Sequence, residues 1–447
     1  MHHITANSES VVADAVQAYL YTYPLVSVEV TRRQSTNCPA PDPSTGVAPM
    51  NQFGHLNFLP DAKFTGVVRP NVDTLYTSMF FDVSSEPLVV SVPDMGGRYH
   101  LFPLMDMWTN VDASPGPRTL GEQHGYQFAI VGPNFRGALP DGVHEYRLPT
   151  DAGWMIGRIQ VNGPDDIPNV VAVQKQMTAA PFSAYGQPYT PPRNNDLHPD
   201  WPKDREVAKY IHDLTPQQYW DLYYSSLSHT QTRPGDQALL DRLARIGWSP
   251  DKKLDLGADL PDAERTPWEL AWTQALSQIE VDLGNKEVNG WKIARSDIGD
   301  YGTNYAARAV VAYGGLGANL PQDAIYPATR VDDKNTQLRA GRAYVLHFAA
   351  DQVPPVDGFW SLTLYDERGF FVDNPIGRYA VRGEHLTRNP DGSIDVVIQH
   401  DSPEPERRSN WLPAPASGDF NLMLRLYRPD DVIVDGTWTP PAVTGCD

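Results

Sequence analysis

The stretch "YHLFPLMDMWTNVDASPGPR", Tyr99 to Arg118, lines up without a gap on "FWSLTLYDERGFFVDNPIGR", Phe359 to Arg378. Leu104 falls on Leu364, Asp106 on Asp366, Pro115 on Pro375 and Arg118 on Arg378. The flanking runs keep the same order. "PLVVSV" precedes the first copy as "AYVLHF" precedes the second, and "GRIQVNGPDD" later matches "LRLYRPDD", which sets Arg158 against Arg425. An ordered series of this kind points to an internal duplication. A chain of 447 residues is also long enough for roughly two or three cores.

The texture along the chain gives each copy its class. From Phe64 to about Val161, short apolar or alternating runs such as "LYTSMFFDV", "YQFAIVG" and "WMIGRIQV" are bounded by Gly, Pro, Asn or Asp, the spacing of a sandwich or jelly roll. From about 165 to 318 the pattern turns helical, with Thr215 before Pro216 as a helix start. Strand texture returns after Pro321. Ahead of all this, Val12, Ala15, Val16, Leu20 and Tyr23 recur at helical spacing up to Pro24, predicting a docked N-terminal helix within residues 8–33. The expected fold is α+β, mainly β: two duplicated jelly-roll-like sandwiches with a helical block between them. The corresponding divisions are residues 1–50 (helix and loop), 51–165 (first sandwich), 166–318 (helical) and 319–447 (second sandwich).

A formal charge of −19 argues against nucleic acid as a partner, because binding a phosphate backbone begins with a positive patch. No run approaches the roughly 18 apolar residues that cross a bilayer, so membrane insertion is not expected. "MHHITANSES" carries no export signal, so the chain reads as soluble and cytoplasmic as given, or periplasmic or secreted if a signal has been removed. Cys38 and Cys446 are expected as free thiols, the alternative being a disulfide tying the two tails.

Together with "PRTLG", the run "RPNVDTLYTSMFFDVSSEPLVVSVPDMGGRYHLFPLMDMWTN" resembles the N-terminal half of a paired family, domain of unknown function 1254. "FWSLTLYDERGFFVDNPIGRY", "NWLPAP" and "RLYRPDD" resemble its C-terminal half, domain of unknown function 1214. The resemblance implies sandwiches of the nucleoplasmin and viral-coat kind. It also implies a family whose members are often exported and in some cases catalogued as hydrolases, including glycan-directed ones. One departure is Asn335 in "VDDKN", where glycine is common; asparagine tolerates the left-handed backbone the turn needs.

The chain lacks G-x-S-x-G, H-E-x-x-H and Walker spacings, and "GGLG" at 314–317 lacks the strand, turn and helix order of a dinucleotide site. No cofactor and no metal is expected; His100 and His347 read as core histidines rather than ligands. Attention therefore falls on "RPNVDTLY" at 69–76, with more hydrogen-bonding groups than a turn requires. Asp73 or Asp106 is the candidate acid or base, with Tyr76 beside it. Arg69, Asn71, Arg98, Trp108, Asn110 and Arg118 are candidates for substrate binding, the arginines for carboxylates or developing charge and Trp108 for stacking. The expected function is a hydrolase for a small organic or sugar-linked substrate. The alternatives are a carbohydrate- or small-ligand-binding module and a structural protein, since coat-like sandwiches commonly form homo-oligomers.

Overall fold

The computed structural model describes residues 8–446 apart from 204, 258, 281–285 and 295. It is α+β, with several sheets and helices and no closed barrel among the described residues. In the N-terminal half, the strands Thr74–Asp82 and Ala152–Gln160 pair antiparallel along their whole length, Tyr76 opposite Arg158. Strict alternation then assigns two faces. Leu75, Met79, Phe81, Met155 and Ile159 turn into one apolar core with residues of a second sheet, such as Val90 and Phe128. On the opposite face, Phe80, Trp154 and Ile156 join a different core made mostly of helices, and Tyr76 packs against it.

The C-terminal half repeats the arrangement. Val356–Asp366 pairs with Phe420–Pro429, whose Leu422, Leu424 and Leu426 face the core while Met423, Arg425 and Tyr427 look outward. Leu101 faces Arg158 and Leu104 faces Met155 in the first sheet; Ser361 faces Arg425 and Leu364 faces Leu422 in the second. The register is thus the same in both sheets. In each half the smaller sheet has four strands in one pattern: a central antiparallel pair, one further antiparallel strand and one parallel strand.

Asp106 and Asp366 close two turns of the same kind. Asp106 Oδ1 accepts from the N–H groups of Trp108 (2.9 Å) and Asn110 (2.8 Å), and Asp366 Oδ1 from those of Arg368 and Phe370 (both 2.9 Å). The fourth residue of each turn is left-handed, Thr109 at φ +69° and Gly369 at φ +89°. Asp332 closes a third loop of this kind, in which Asn335 takes φ +57°, as its tolerance for that region predicts.

The N-terminal helix runs Ser8–Thr36, beyond the predicted stretch and through Pro24. A proline forfeits one hydrogen bond and normally ends a helix. Here every residue from Tyr19 to Val30 is buried, so packing on all sides outweighs that loss. The helix is the axis of a tyrosine- and tryptophan-rich core with the helices Pro216–Ser226, Asp262–Ile279 and Tyr305–Gly314. Thr215 caps the first of these through a reciprocal box with Gln218. Cys38 and Cys446 are both free thiols. Among the described residues no helix is long and apolar enough to cross a membrane.

Candidate functional site

The outward faces of the two larger sheets are polar where they meet the other parts of the chain. Arg158 interrupts the apolar strand "WMIGRIQV" on that face and is 6% exposed. Its Nη1 donates to the Ile156 carbonyl and its Nη2 to the Gly317 carbonyl, each at 3.0 Å, and its guanidinium lies 5.2 Å from the Tyr76 ring centre. Arg158 and Tyr76 form the floor of a cleft of about 1340 Å³. The N-terminal helix contributes Thr31 and Gln34 to its walls, the loop 65–69 contributes Val67, Val68 and Arg69, and the glycine run 314–317, Tyr326, Asp297 and Asp435 stand among the others.

Behind this cleft lies a buried network that joins the two halves. Asp73, 1% exposed, accepts from Ser361 Oγ at 2.5 Å and from Tyr427 Oη at 3.0 Å, while its Oδ1 is buried without a partner. Asn71 accepts from the Asp73 N–H at 2.7 Å and donates to Tyr427 Oη at 3.0 Å. Arg425 donates to Thr363 (2.7 Å), to Tyr365 Oη (2.5 Å) and to the carbonyls of Arg69 (3.1 Å) and Pro70 (3.3 Å). Burial raises the Tyr427 hydroxyl well above its usual range, with the Asp73 charge adding to it, and pushes Tyr326 up to about 12. Both tyrosines therefore stay protonated: the Tyr427 hydroxyl donates to Asp73, and the Tyr326 hydroxyl accepts from Asn319 Nδ2.

Of the residues singled out in sequence, "RPNVDTLY" converges on this region: Arg69 and Tyr76 line the cleft, and Asn71 and Asp73 lie in the network behind it. The others lie elsewhere. Asp106 is fully buried and ion-paired with Arg233, which also holds Asp112 at 3.0 Å. Trp108 stacks on Tyr21 with ring centres 4.6 Å apart and donates to the Gln231 carbonyl at 2.8 Å. Asn110 accepts from the Tyr301 N–H at 3.3 Å. Arg98 pairs with Asp166 (Nη2 to Oδ1, 2.7 Å) and Arg118 with Asp323 (2.6 Å). His100 bonds the Arg98 carbonyl at 2.9 Å and His347 bonds Asp395 at 2.7 Å. Sequence reasoning missed Arg158, Tyr326 and the "GGLG" run as cleft residues. A lone arginine in an apolar strand was the available signal for the first.

One arginine shared by two carboxylates has a pH consequence. Burial, and then the Asp106 charge, push the Asp112 carboxyl up to about 7. An unfolded aspartate titrates near 3.9, so between about pH 4 and 7 the folded chain holds a proton that the unfolded chain has released. Asp112 thus favours the fold fully below pH 4, and that contribution is lost as the pH rises to about 7. Asp112→Asn should therefore gain stability relative to wild type over that window, read as the difference in urea midpoints at pH 4, 5.5 and 7; a flat difference counts against the assignment.

Residues 50–181 match the family model described as protein of unknown function DUF1254, and residues 323–431 match DUF1214, likewise of unknown function. The chain belongs to this paired DUF1254/DUF1214 family. The two matched segments carry the two larger sheets' long central strands, so Arg158 and Arg425 each lie within a family domain, whereas the glycine run lies between them. Among solved structures, the DUF1254/DUF1214 chain is similar to the VPA0106 protein of Vibrio parahaemolyticus, with 23% identity and a TM-score of 0.72 over 98% of this chain and 100% of that one. At that identity the likeness is one of fold. An uncharacterized protein from Burkholderia cenocepacia is also found, at 12% identity and TM-score 0.45 over 98% of this chain and 96% of that one. No curated protein matches.

Proposed function

We propose that this protein takes up a small organic molecule in the cleft over Tyr76 and Arg158. The observation that carries the reading is the composition of the floor, a buried arginine and half-buried tyrosines in a concavity large enough for a ligand. Gly314 supplies the test. A Cβ added there meets no atom within 4 Å, so Gly314→Trp has room to leave the backbone and sets a bulky ring at the wall of the cleft. Compounds that raise the thermal midpoint of the wild type in a screen of small acids, sugars and esters should lose that effect in Gly314→Trp. Ligands that stabilise both equally bind elsewhere and sink the reading.

Hydrolysis is the second reading, favoured by Asp73, whose buried Oδ1 has no hydrogen-bond partner while Oδ2 takes two. If that carboxylate moves protons for a substrate, Asp73→Asn should lower turnover of p-nitrophenyl esters or glycosides by about 100-fold with the fold retained. Equal turnover in the two proteins removes Asp73 from the chemistry. We further propose that the two sheet pairs are duplicated jelly-roll-like sandwiches with the helical region inserted between them. The shared strand pattern, the register about Arg158 and Arg425 and the matching Asp106 and Asp366 turns support this origin.

A further inference from the structure

The polar atoms left unpaired in the cleft specify what would satisfy them. Arg158 uses Nη1 and Nη2 on main-chain carbonyls, but its Nε is buried with no hydrogen-bond partner, and among the described residues no carboxylate pairs with it. A buried cation without a counter-charge is costly, and the cost falls when an anion arrives. Arg69, on the wall above, is open to water inside the cleft and likewise has no carboxylate partner among the described residues. Its backbone sits at φ +55°, an uncommon conformation for a side-chain-bearing residue, held by its N–H to the Gly369 carbonyl at 2.8 Å and by Arg425 on its own carbonyl. Two bonds on a strained residue fix the backbone from which its side chain enters the cleft wall.

Asn319 adds a demand of the opposite sign. It is 4% exposed, lines the cleft and donates Nδ2 to Tyr326 Oη at 3.0 Å, yet its Oδ1 is buried and accepts from nothing. That oxygen calls for a hydroxyl or N–H on the ligand. The half-buried rings of Tyr76 and Tyr326 offer flat apolar surface between these polar points. Three carboxylates also line the cleft: Glu206 and Asp435 are exposed to water, and the half-buried Asp297 accepts from Asn304 Nδ2 at 3.2 Å, so the most deeply buried charge in the lining is that of Arg158.

We infer that the cleft takes a hydroxylated organic acid, its carboxylate held by Arg158 and Arg69 and its hydroxyl by Asn319. This rests on the reading of the cleft as the functional site and adds the chemical class of what enters it. An arginine fork matches a planar carboxylate in two hydrogen bonds, which a neutral analogue cannot accept in the same way.

The test is calorimetric titration of the full chain with 4-hydroxybenzoate, its neutral counterpart 4-hydroxybenzyl alcohol, benzoate and inorganic phosphate. The acid should bind the wild type at least about 10-fold more tightly than the alcohol and more tightly than benzoate. Arg158→Gln and Arg69→Ala should each weaken the acid by about 10-fold or more and leave the alcohol unchanged. Arg69 is exposed, so its variant keeps the test sound should Arg158→Gln fail to fold. Asn319→Ala should abolish the preference for 4-hydroxybenzoate over benzoate. Equal binding of acid and alcohol, tighter binding of phosphate, unchanged acid affinity in Arg69→Ala, or no binding of either acid overturns the inference. Loss of every ligand in Gly314→Trp leaves the cleft standing even then, whereas acid binding that survives Gly314→Trp overturns the cleft itself.

Discussion

Asp106→Ala is expected to lower folding stability by about 3 kcal/mol or more, while Asp366→Ala, the matching change in the C-terminal turn, should lower it by about 1 kcal/mol. Both carboxylates close the same turn through two backbone N–H groups, so the turn alone cannot separate them. Their surroundings do. The Asp106 side chain is fully buried and its second oxygen pairs with Arg233, so truncation strands two buried N–H groups and removes one of the two acidic partners of a partly buried guanidinium. The Asp366 side chain is 22% exposed and its partner Arg368 is 71% exposed, so water replaces most of what is lost. Asp106→Asn should recover part of the deficit, because the amide oxygen still accepts from Trp108 and Asn110. Urea unfolding of the three variants decides the matter, and equal losses for Asp106→Ala and Asp366→Ala would show that burial does not set the cost of this turn.

The contrast also shows what can be read from sequence. The gapless match between Tyr99–Arg118 and Phe359–Arg378 gave the strand register correctly, because alternation and turn chemistry are local. Local rules also found the Thr215 cap and the tolerance of Asn335 for a left-handed turn. The helical spacing they use stops at Pro24, and the helix continues to Thr36 because of partners brought from residues 216–279 and 305–314. "DNPIGRY" at 373–379 has a mixture of residues similar to that of "RPNVDTLY", yet Asn374 bonds Arg378 across its own turn and Arg378 caps the carbonyls of Arg408 and Trp411. The cleft was the least legible feature. It is assembled from segments far apart in the chain, and in sequence only "RPNVDTLY", through Arg69 and Tyr76, and the lone arginine of "WMIGRIQV" mark it.

Arg425→Met should be the variant that loosens the two halves. The guanidinium is 3% exposed and reaches four oxygens, two on its own sheet and two on the backbone at Arg69 and Pro70. Methionine fills much of the volume but supplies no donor. Pro70 keeps a bond from Tyr365 Oη at 2.7 Å, whereas the Arg69 carbonyl loses its donor and the buried Asp73 carboxylate loses a nearby positive charge. A buried charge left without compensation typically costs about 3–5 kcal/mol, so the stability loss should exceed about 3 kcal/mol. The local effect is separate. Released from Arg425, residue 69 can relax from φ +55°, and the loop 65–69 that forms one wall of the cleft becomes open to proteolysis. Limited digestion followed by mass measurement should therefore give cleavage within 65–69 in Arg425→Met at protease levels that leave the wild type intact. Arg425→Lys, which restores the charge and part of the hydrogen bonding, should fall between the two. A stability loss below about 1 kcal/mol with no new cleavage would mean that the halves are held by their apolar contacts, chiefly Tyr99 against Phe359 and Tyr427, and that the buried arginine is incidental to the cleft.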